Sequence, residues 1–372
     1  MPRISIFMSS YNYAKYLALA IESVLNQSFT DFELFIIDDA STDESWQIIQ
    51  NYKDPRIKAY QNHTNLNSKH WMNKIVFEMA SGEYFAVQHS DNIWEHDKLQ
   101  KQIDFLDSNP DYAAVFTNAY IIDEKGRPLT DKTHFFYSIF DQPNRNRFEW
   151  LNHFFYHGNA LCHPSILIRK ACYDKCGGYR IGLAQIPDFD MWIRVCMAYE
   201  IHVMSEKLIQ YRVQSNENFT SGNLPRNRIR GQFEFLQALN HYKFIASLDE
   251  FNKIFPEAKQ YISEDNPDYL YALGKLATDS GQFMVHKLFG LNLLFEALND
   301  PQRAKNLEIY QKFNHKKFIE LSAQHDIFSV EVNETLKKLD AYYSNSKSWR
   351  LTKPLRLIMK FIRGKKANTC QK

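Results

Sequence analysis

Three times in its first 92 residues this chain drives an apolar run into small polar and acidic residues. Ile4-Ser5-Ile6-Phe7-Met8 opens into Ser9-Ser10-Tyr11-Asn12. Ile36-Ile37 ends in Asp38-Asp39-Ala40-Ser41-Thr42-Asp43, and Tyr84–Gln88 ends in His89-Ser90-Asp91-Asn92. Runs of this kind fit strands buried on both faces, as in a parallel sheet. In such sheets, ligands bind beyond the carboxyl ends of the strands. Phosphate-holding loops on these sheets are usually glycine-rich, yet the first glycine is Gly82. A metal on carboxylates is the candidate substitute.

The stretches between these runs have helical periodicity. Ala14–Gln27 places Leu17, Ile21, Val24 and Leu25 on one face. Ser41 with Glu44 three residues on predicts an N-cap for a helix to about Tyr52. Ile57–Gln61 and Ala113–Phe116 read as strands; Lys69–Ala80 and Glu95–Ser108 read as helices. The alternation predicts an α/β fold with a mostly parallel sheet flanked by helices. After Asn118 the pattern is mixed. It contains a hairpin over Ile121–Leu129, a strand at Ser165–Arg169, a helix over Asp188–Tyr199 and a final strand at Leu208–Arg212. From Pro225 it is largely helical. The expected organisation is an α/β domain over 1–222, with halves of about 1–118 and 119–222, a helical domain over 223–343 and a tail over 344–372.

At 372 residues and 44% hydrophobic content the chain can bury a large core. No stretch reaches the ~20 apolar residues needed to span a bilayer. No separate apolar leader precedes the first strand, so a cytoplasmic protein is expected. Five cysteines without zinc-site spacing fit reduced thiols. Nine of the 45 Lys and Arg lie in 344–372, which holds no Asp or Glu, leaving 36 basic against 43 acidic residues in the body. An acidic body argues against nucleic acid as partner. At ~100° per residue, the tail's Lys353, Arg356, Lys360 and Arg363 fall opposite Leu351, Leu355, Ile358, Met359 and Ile362. That pattern predicts an interfacial helix on the anionic inner face of the cytoplasmic membrane.

The two adjacent acids, Asp38 and Asp39, would point to opposite sides of a continuing strand. One can turn back to cap the next helix while the other faces the crevice. Asp188, taken alone, suits a helix N-cap, and His163 a satisfied loop histidine. An NAD-binding sheet is disfavoured, because no Gly-x-Gly-x-x-Gly follows the first strand.

From Ile4 to Arg212 the chain resembles the family-two glycosyltransferases of GT-A fold. The likeness rests on Ser5–Asn12, Ala20–Phe29, Ile37–Asp43 (where Gly is more usual at Ala40), Ala80–Tyr84 and Gly158–Ser165. It continues in Gly177-Gly178-Tyr179 with Asp188-x-Asp190-x-Trp192-x-x-Arg194, and in Tyr211–Gln214. The resemblance implies a nucleotide-sugar donor, most naturally UDP-linked, held by Ser10, Tyr11, Asn12, Asp39 and Ser90. It implies Asp188 as the base of an inverting transfer, with His163, Asp190 and Trp192 on the acceptor side. It also implies a divalent ion, Mn²⁺ or Mg²⁺, on Asp91 with His89. Here the chain departs from the family: His89 and Asn92 replace acids, and Gln214 stands where His is common. The acceptor implied is a cell-surface glycan or lipid-linked oligosaccharide, as in bacterial polysaccharide synthesis. The helical region would shape the acceptor side or form a homodimer. The alternative reading is a non-catalytic GT-A-like scaffold with a degenerate metal motif.

Overall fold

The computed structural model describes residues 1–66, 68–214 and 224–345. The basic tail and Cys370 therefore lie outside the described residues, apart from the backbone of its first two positions. In chain order the elements begin with β1 Ile4–Ser10, α1 Ala14–Leu25, β2 Phe32–Asp38, α2 Ser45–Asn51, β3 Ile57–Gln61, α3 Ser68–Lys74, β4 Tyr84–His89, β5 Ile93–Trp94 and α4 Lys98–Ser108. They continue with β6 Tyr112–Ile122, α5 Arg147–His157, β7 Leu167–Arg169, α6 Cys172–Cys176, α7 Pro187–Ala198 and β8 Glu200–Arg212. Then come α8 Pro225–Leu239, α9 Leu248–Ile254, α10 Tyr269–Ser280, α11 Met284–Leu298, α12 Pro301–Tyr310, α13 His315–Ala323 and α14 Val330–Asn345.

The eight strands form one sheet in the order β3-β2-β1-β4-β7-β6-β8-β5. β3, β2, β1 and β4 are parallel neighbours. β7 runs antiparallel to both β4 and β6, β8 is parallel to β6, and β5 is antiparallel to β8 at the edge. The expected mostly parallel sheet is therefore present in the first half, and a mixed sheet follows it.

Side chains alternate between two cores, one on each face. Phe7, Phe35, Ile37, Phe85 and Val87 join one cluster, and Ile6, Met8, Leu34, Ile36 and Ala86 join the other. Both faces are apolar because helices cover both, and so the strands read as continuous hydrophobic runs. Gly82 lets the backbone before β4 pass close to β1: a Cβ there would sit 2.6 Å from the Ser5 amide nitrogen.

Two local expectations need correction. Ser41 does not cap α2; that helix begins at Ser45, behind a turn in which Asp43 Oδ1 accepts the Ser45 N–H at 3.0 Å. The expected hairpin, by contrast, is present at the end of β6: Ile122 and Pro128 form an antiparallel bridge, and the Leu129 N–H donates to the Ile121 carbonyl at 2.9 Å. The final strand is 13 residues long and starts at Glu200.

The division into compact units falls after Gln311, giving 1–311 and 312–372, and does not coincide with the expected boundary at 222/223. Residues from α8 to α11 share a core cluster with α5 and α7. Phe155 lies 5.3 Å from Tyr242 and 4.9 Å from Phe255 between ring centroids, and the Tyr242 hydroxyl donates to the Leu151 carbonyl at 2.7 Å. The second unit carries α13 and α14. Among the described residues no helix is long and apolar enough to cross a membrane.

Candidate active site

The carboxyl ends of β1, β2 and β4 lie side by side, with Ser10 opposite Asp38 and Ser9 opposite His89 in register. Two loops beyond them are clasped together. The Asn12 N–H donates to Ser41 Oγ at 2.9 Å, and the Thr42 N–H donates to Asn12 Oδ1 at 2.7 Å. Asp43 Oδ2 accepts the Ala14 N–H at 3.0 Å, and Ser45 Oγ accepts the Tyr13 N–H at 3.1 Å. Burial raises the Asp43 carboxyl, but bonds from the Ser45 hydroxyl and the Ala14 amide outweigh it and leave the group below its ordinary value. Carboxylate acceptance at the start of α1 is also favoured by the helix dipole. Both Asn12 and Ala40 adopt left-handed backbone, with φ of 58° and 66°.

Neither aspartate of the Asp38-Asp39 pair caps α2. Asp38 Oδ2 accepts from Ser41 and Gln61, while Oδ1 and the Ser10 hydroxyl are buried without a hydrogen bond among the described residues. Asp39 Oδ1 accepts Asn62 Nδ2 at 2.6 Å and the Leu66 N–H at 2.9 Å, pinning the chain after β3. Tyr11 is 45% exposed at the rim, and Ser90 is buried behind β4.

Beyond β4 the His-Ser-Asp-Asn stretch splits in two. Asn92 is buried and structural: its Oδ1 accepts the Arg212 N–H at 2.8 Å. Gln214 Nε2 donates to Asp91 Oδ2 at 3.2 Å and to the Tyr13 hydroxyl at 3.4 Å. Burial pushes the Asp91 carboxyl up to about 6, against the Gln214 hydrogen bond and the Arg212 charge. His89 instead faces His163, edge-on at 5.3 Å. Burial and the His163 charge push His89 down to about 3, while Asp188 pulls the other way. His163 is likewise held near 3 by burial, so both rings are neutral near pH 7.

Asp188 stands in the first turn of α7, not at its cap, which is Ile186. It is half-buried, and Asn159 Nδ2 donates to its Oδ2 at 2.9 Å. Burial lifts its carboxyl above the ordinary value, against the Phe189 amide, the His89 charge and the Asn159 bond. His163 Nε2 lies 3.1 Å from the Tyr179 hydroxyl and packs against Trp192 at 5.7 Å. Trp192 is a core residue, also edge-on to Phe116 at 4.9 Å. Asp190 is 0% exposed and faces Arg180, Arg194 Nε at 3.1 Å and His241 Nε2 at 2.8 Å. Burial would raise its carboxyl, but the His241 bond and the Arg194 charge hold it below the ordinary range. Asp190 thus ties α7 to the chain after α8.

Three residues of the site escape sequence reasoning. Glu234 on α8 is buried, and its carboxylate accepts the N–H groups of Ala184, Gln185 and Ile186 at 2.7, 2.7 and 3.0 Å, fixing the approach to α7. Lys69, half-buried at the start of α3, enters the electrostatic surroundings of Asp188. Asn159 orients Asp188. Glu234 sits between Phe233 and Phe235, and nothing in that local pattern marks it as a partner for residues 50 positions away.

Among the described residues no three His, Cys, Asp or Glu side chains form a group able to hold a metal. Mg²⁺-type sites commonly take one or two carboxylates and complete themselves with substrate phosphate oxygens. Asp91 fits that shared arrangement and does not fit a cage made by protein alone.

The family model of glycosyl transferase family 2 matches residues 5–169. An uncharacterized glycosyltransferase of Methanocaldococcus jannaschii is 31% identical over 226 residues, spanning 59% of this chain and 74% of that protein. The UDP-Glc:alpha-D-GlcNAc-diphosphoundecaprenol beta-1,3-glucosyltransferase WfaP of Escherichia coli is 27% identical over 197 residues, 52% of this chain and 70% of that protein. Among solved structures, S. aureus TarS 1-349 in complex with UDP-GlcNAc superposes with a TM-score of 0.51 at 18% identity, covering 82% of this chain and 86% of that one. That likeness concerns the fold. Together with the crevice at the β1, β2 and β4 ends, these matches make the chain a glycosyltransferase of GT-A fold, belonging to glycosyl transferase family 2.

Proposed function

We propose that the protein transfers a sugar from a UDP donor to a hydroxyl of a surface glycan or lipid-linked oligosaccharide, with inversion at the anomeric carbon. The observation that carries this reading is Asp188: a carboxylate at the crevice, lifted by burial and oriented by Asn159. A general base needs a held geometry and a proton affinity above that of a free carboxylate. Asp188 takes the proton as the acceptor oxygen bonds to the anomeric carbon and the bond to the diphosphate breaks. No second protein nucleophile is needed for such a single displacement.

On the donor side, the buried Ser10 hydroxyl and Asp38 Oδ1 have no partner among the described residues, and so suit a polar nucleoside ligand. Tyr11, Asn12, Asp39 and Ser90 complete this side. A divalent ion held by Asp91 and the donor diphosphate would neutralise the departing nucleotide. His89, neutral and facing His163 and Asp188, serves the reacting sugar better than a cation. The UDP-GlcNAc complex of TarS and the UDP-Glc named for WfaP support the choice of UDP. The tail over 344–372 supports attachment to the inner membrane face, where lipid-linked acceptors lie.

The test is a screen of nucleotide sugars for binding and turnover, with and without Mn²⁺, with product stereochemistry read by NMR. The expected result is UDP-sugar turnover with inverted configuration. A retained anomeric configuration, or affinity confined to non-uridine donors, refutes the reading.

A further inference from the structure

Lys69 lies within electrostatic reach of Asp188, of Glu234 and of Arg230 on α8. Lys69 is half-buried, yet Nζ reaches only the Ala184 carbonyl, at 3.5 Å, and forms no ion pair among the described residues. The two carboxylates that attract it are committed elsewhere: Asp188 to Asn159, and Glu234 to three backbone amides. Burial lowers its amine from the ordinary lysine value despite those two carboxylates, and Arg230 adds to the effect. A cation kept partly out of water without a counter-ion is costly unless a ligand supplies one.

Beyond Lys69 the outer surface of α8 alternates charge and hydrocarbon. Arg226 and Arg230 are exposed, and Ile229 and Phe233 are 73% and 61% exposed. At ~100° per residue, the four positions fall within one stripe about 100° wide. The same helix carries Glu234, whose grip on 184–186 places it against the approach to Asp188. From the base outward the chemistry is therefore carboxylate, cations, then exposed apolar side chains among cations.

A sugar joined through phosphate to a hydrocarbon chain presents the complementary order: hydroxyl, anion, apolar tail. A neutral free glycan would leave both Lys69 and the apolar side chains unused. We propose that Lys69 and the Arg226–Phe233 stripe of α8 receive the phosphate and first hydrocarbon units of a lipid-phosphate-linked acceptor. This rests on Asp188 marking the acceptor side, and it adds the acceptor's class and the surface that reads it. Lys69, Arg226 and Arg230 pair with phosphate oxygens, while Ile229 and Phe233 cover the start of the lipid.

The experiment uses the full chain and phosphatidylcholine vesicles of matched negative charge, one set carrying a long-chain polyprenyl phosphate and the other phosphatidylglycerol. Matching the charge cancels the contribution of the basic tail. The wild type should bind the polyprenyl phosphate vesicles about tenfold more tightly. Arg226→Ser with Arg230→Ser should abolish that preference, as should Ile229→Ser with Phe233→Ser. Lys69→Met should weaken it, and Lys69→Arg should restore it. UDP binding, which does not involve α8, serves as the folding control for each variant. Equal binding at matched charge, or folded variants that keep the preference, overturns the proposal. A wild type that prefers polyprenyl phosphate but binds no UDP leaves this inference standing and refutes the donor assignment instead.

Discussion

The two sides of this crevice, the ends of β1 and β2 and the surroundings of α7, are built on opposite plans. At the ends of β1 and β2, polar side chains bind one another: Asn12 with Ser41 and Thr42, Asp43 with Ala14 and Ser45, Asp39 with Asn62 and Leu66. Around α7 the groups keep chemical capacity in reserve. Asp188 is lifted, His89 and His163 are held neutral, and Lys69 has no counter-ion among the described residues. The first half uses its polar groups to make a shape. The second uses burial to displace proton affinities, as reacting groups require.

The sharpest way to break this comparison is Asp188→Asn. If Asp188 is the base proposed above, the substitution should lower kcat by about 10³-fold while leaving UDP affinity unchanged, because only the α7 side is altered. Calorimetry with UDP beside a transfer assay checks it; equal loss in both would give Asp188 a role in binding UDP instead. Glu234→Gln comes next. It replaces a charge that accepts three N–H groups, and should cost about 2–3 kcal/mol in urea unfolding and reduce kcat with it. A stable variant with normal turnover would mean that the approach to α7 holds itself.

Asp91→Asn should act in the opposite direction on stability. The folded carboxyl titrates at about 6 and the free group at 3.8, so between those values the folded state binds more proton than the unfolded chain. Stability contributed by the protonated form is present at low pH and is lost as pH rises through 6. The variant should therefore gain about 3 kcal/mol at pH 8 and nothing below pH 4, while losing Mn²⁺-dependent UDP affinity. A gain independent of pH would remove the electrostatic explanation. The smallest effect is expected from Ala40→Gly. Ala40 has φ of 66°, where an L side chain is strained, so glycine should stabilise the clasp by about 0.5–1 kcal/mol with no change in kcat. Destabilisation on thermal melting would show that the clasp's rigidity outweighs its strain.

Legibility in the sequence follows the same divide. The side at the strand ends could be read because its parts are consecutive. An apolar run ending in Asp38-Asp39, or in His89-Ser90-Asp91, is one strand with its own loop. The notion that Ser41 starts α2 failed because the Asp43–Ser45 turn does that work, and because Ser41 is spent on Asn12 across the crevice. Asp188 was visible as a motif, but its depth in the protein and its Asn159 partner were not. Asp190 reads identically in sequence, yet it points into Arg180, Arg194 and His241.

By itself the sequence determined the strand-to-loop junctions, the order of alternating elements and the family. Period-two and period-3.6 patterning and the turn residues are local properties of the chain. Only the tertiary structure decided that α8 to α11 share a core with the catalytic fold, that His89 turns to His163 while Asp91 meets Gln214, and that Glu234 and Lys69 belong to the site. Those outcomes depend on which distant side chains share a buried volume. There the cost of leaving a charge or hydrogen-bonding group unpaired selects its partner, and no spacing along the chain records that choice.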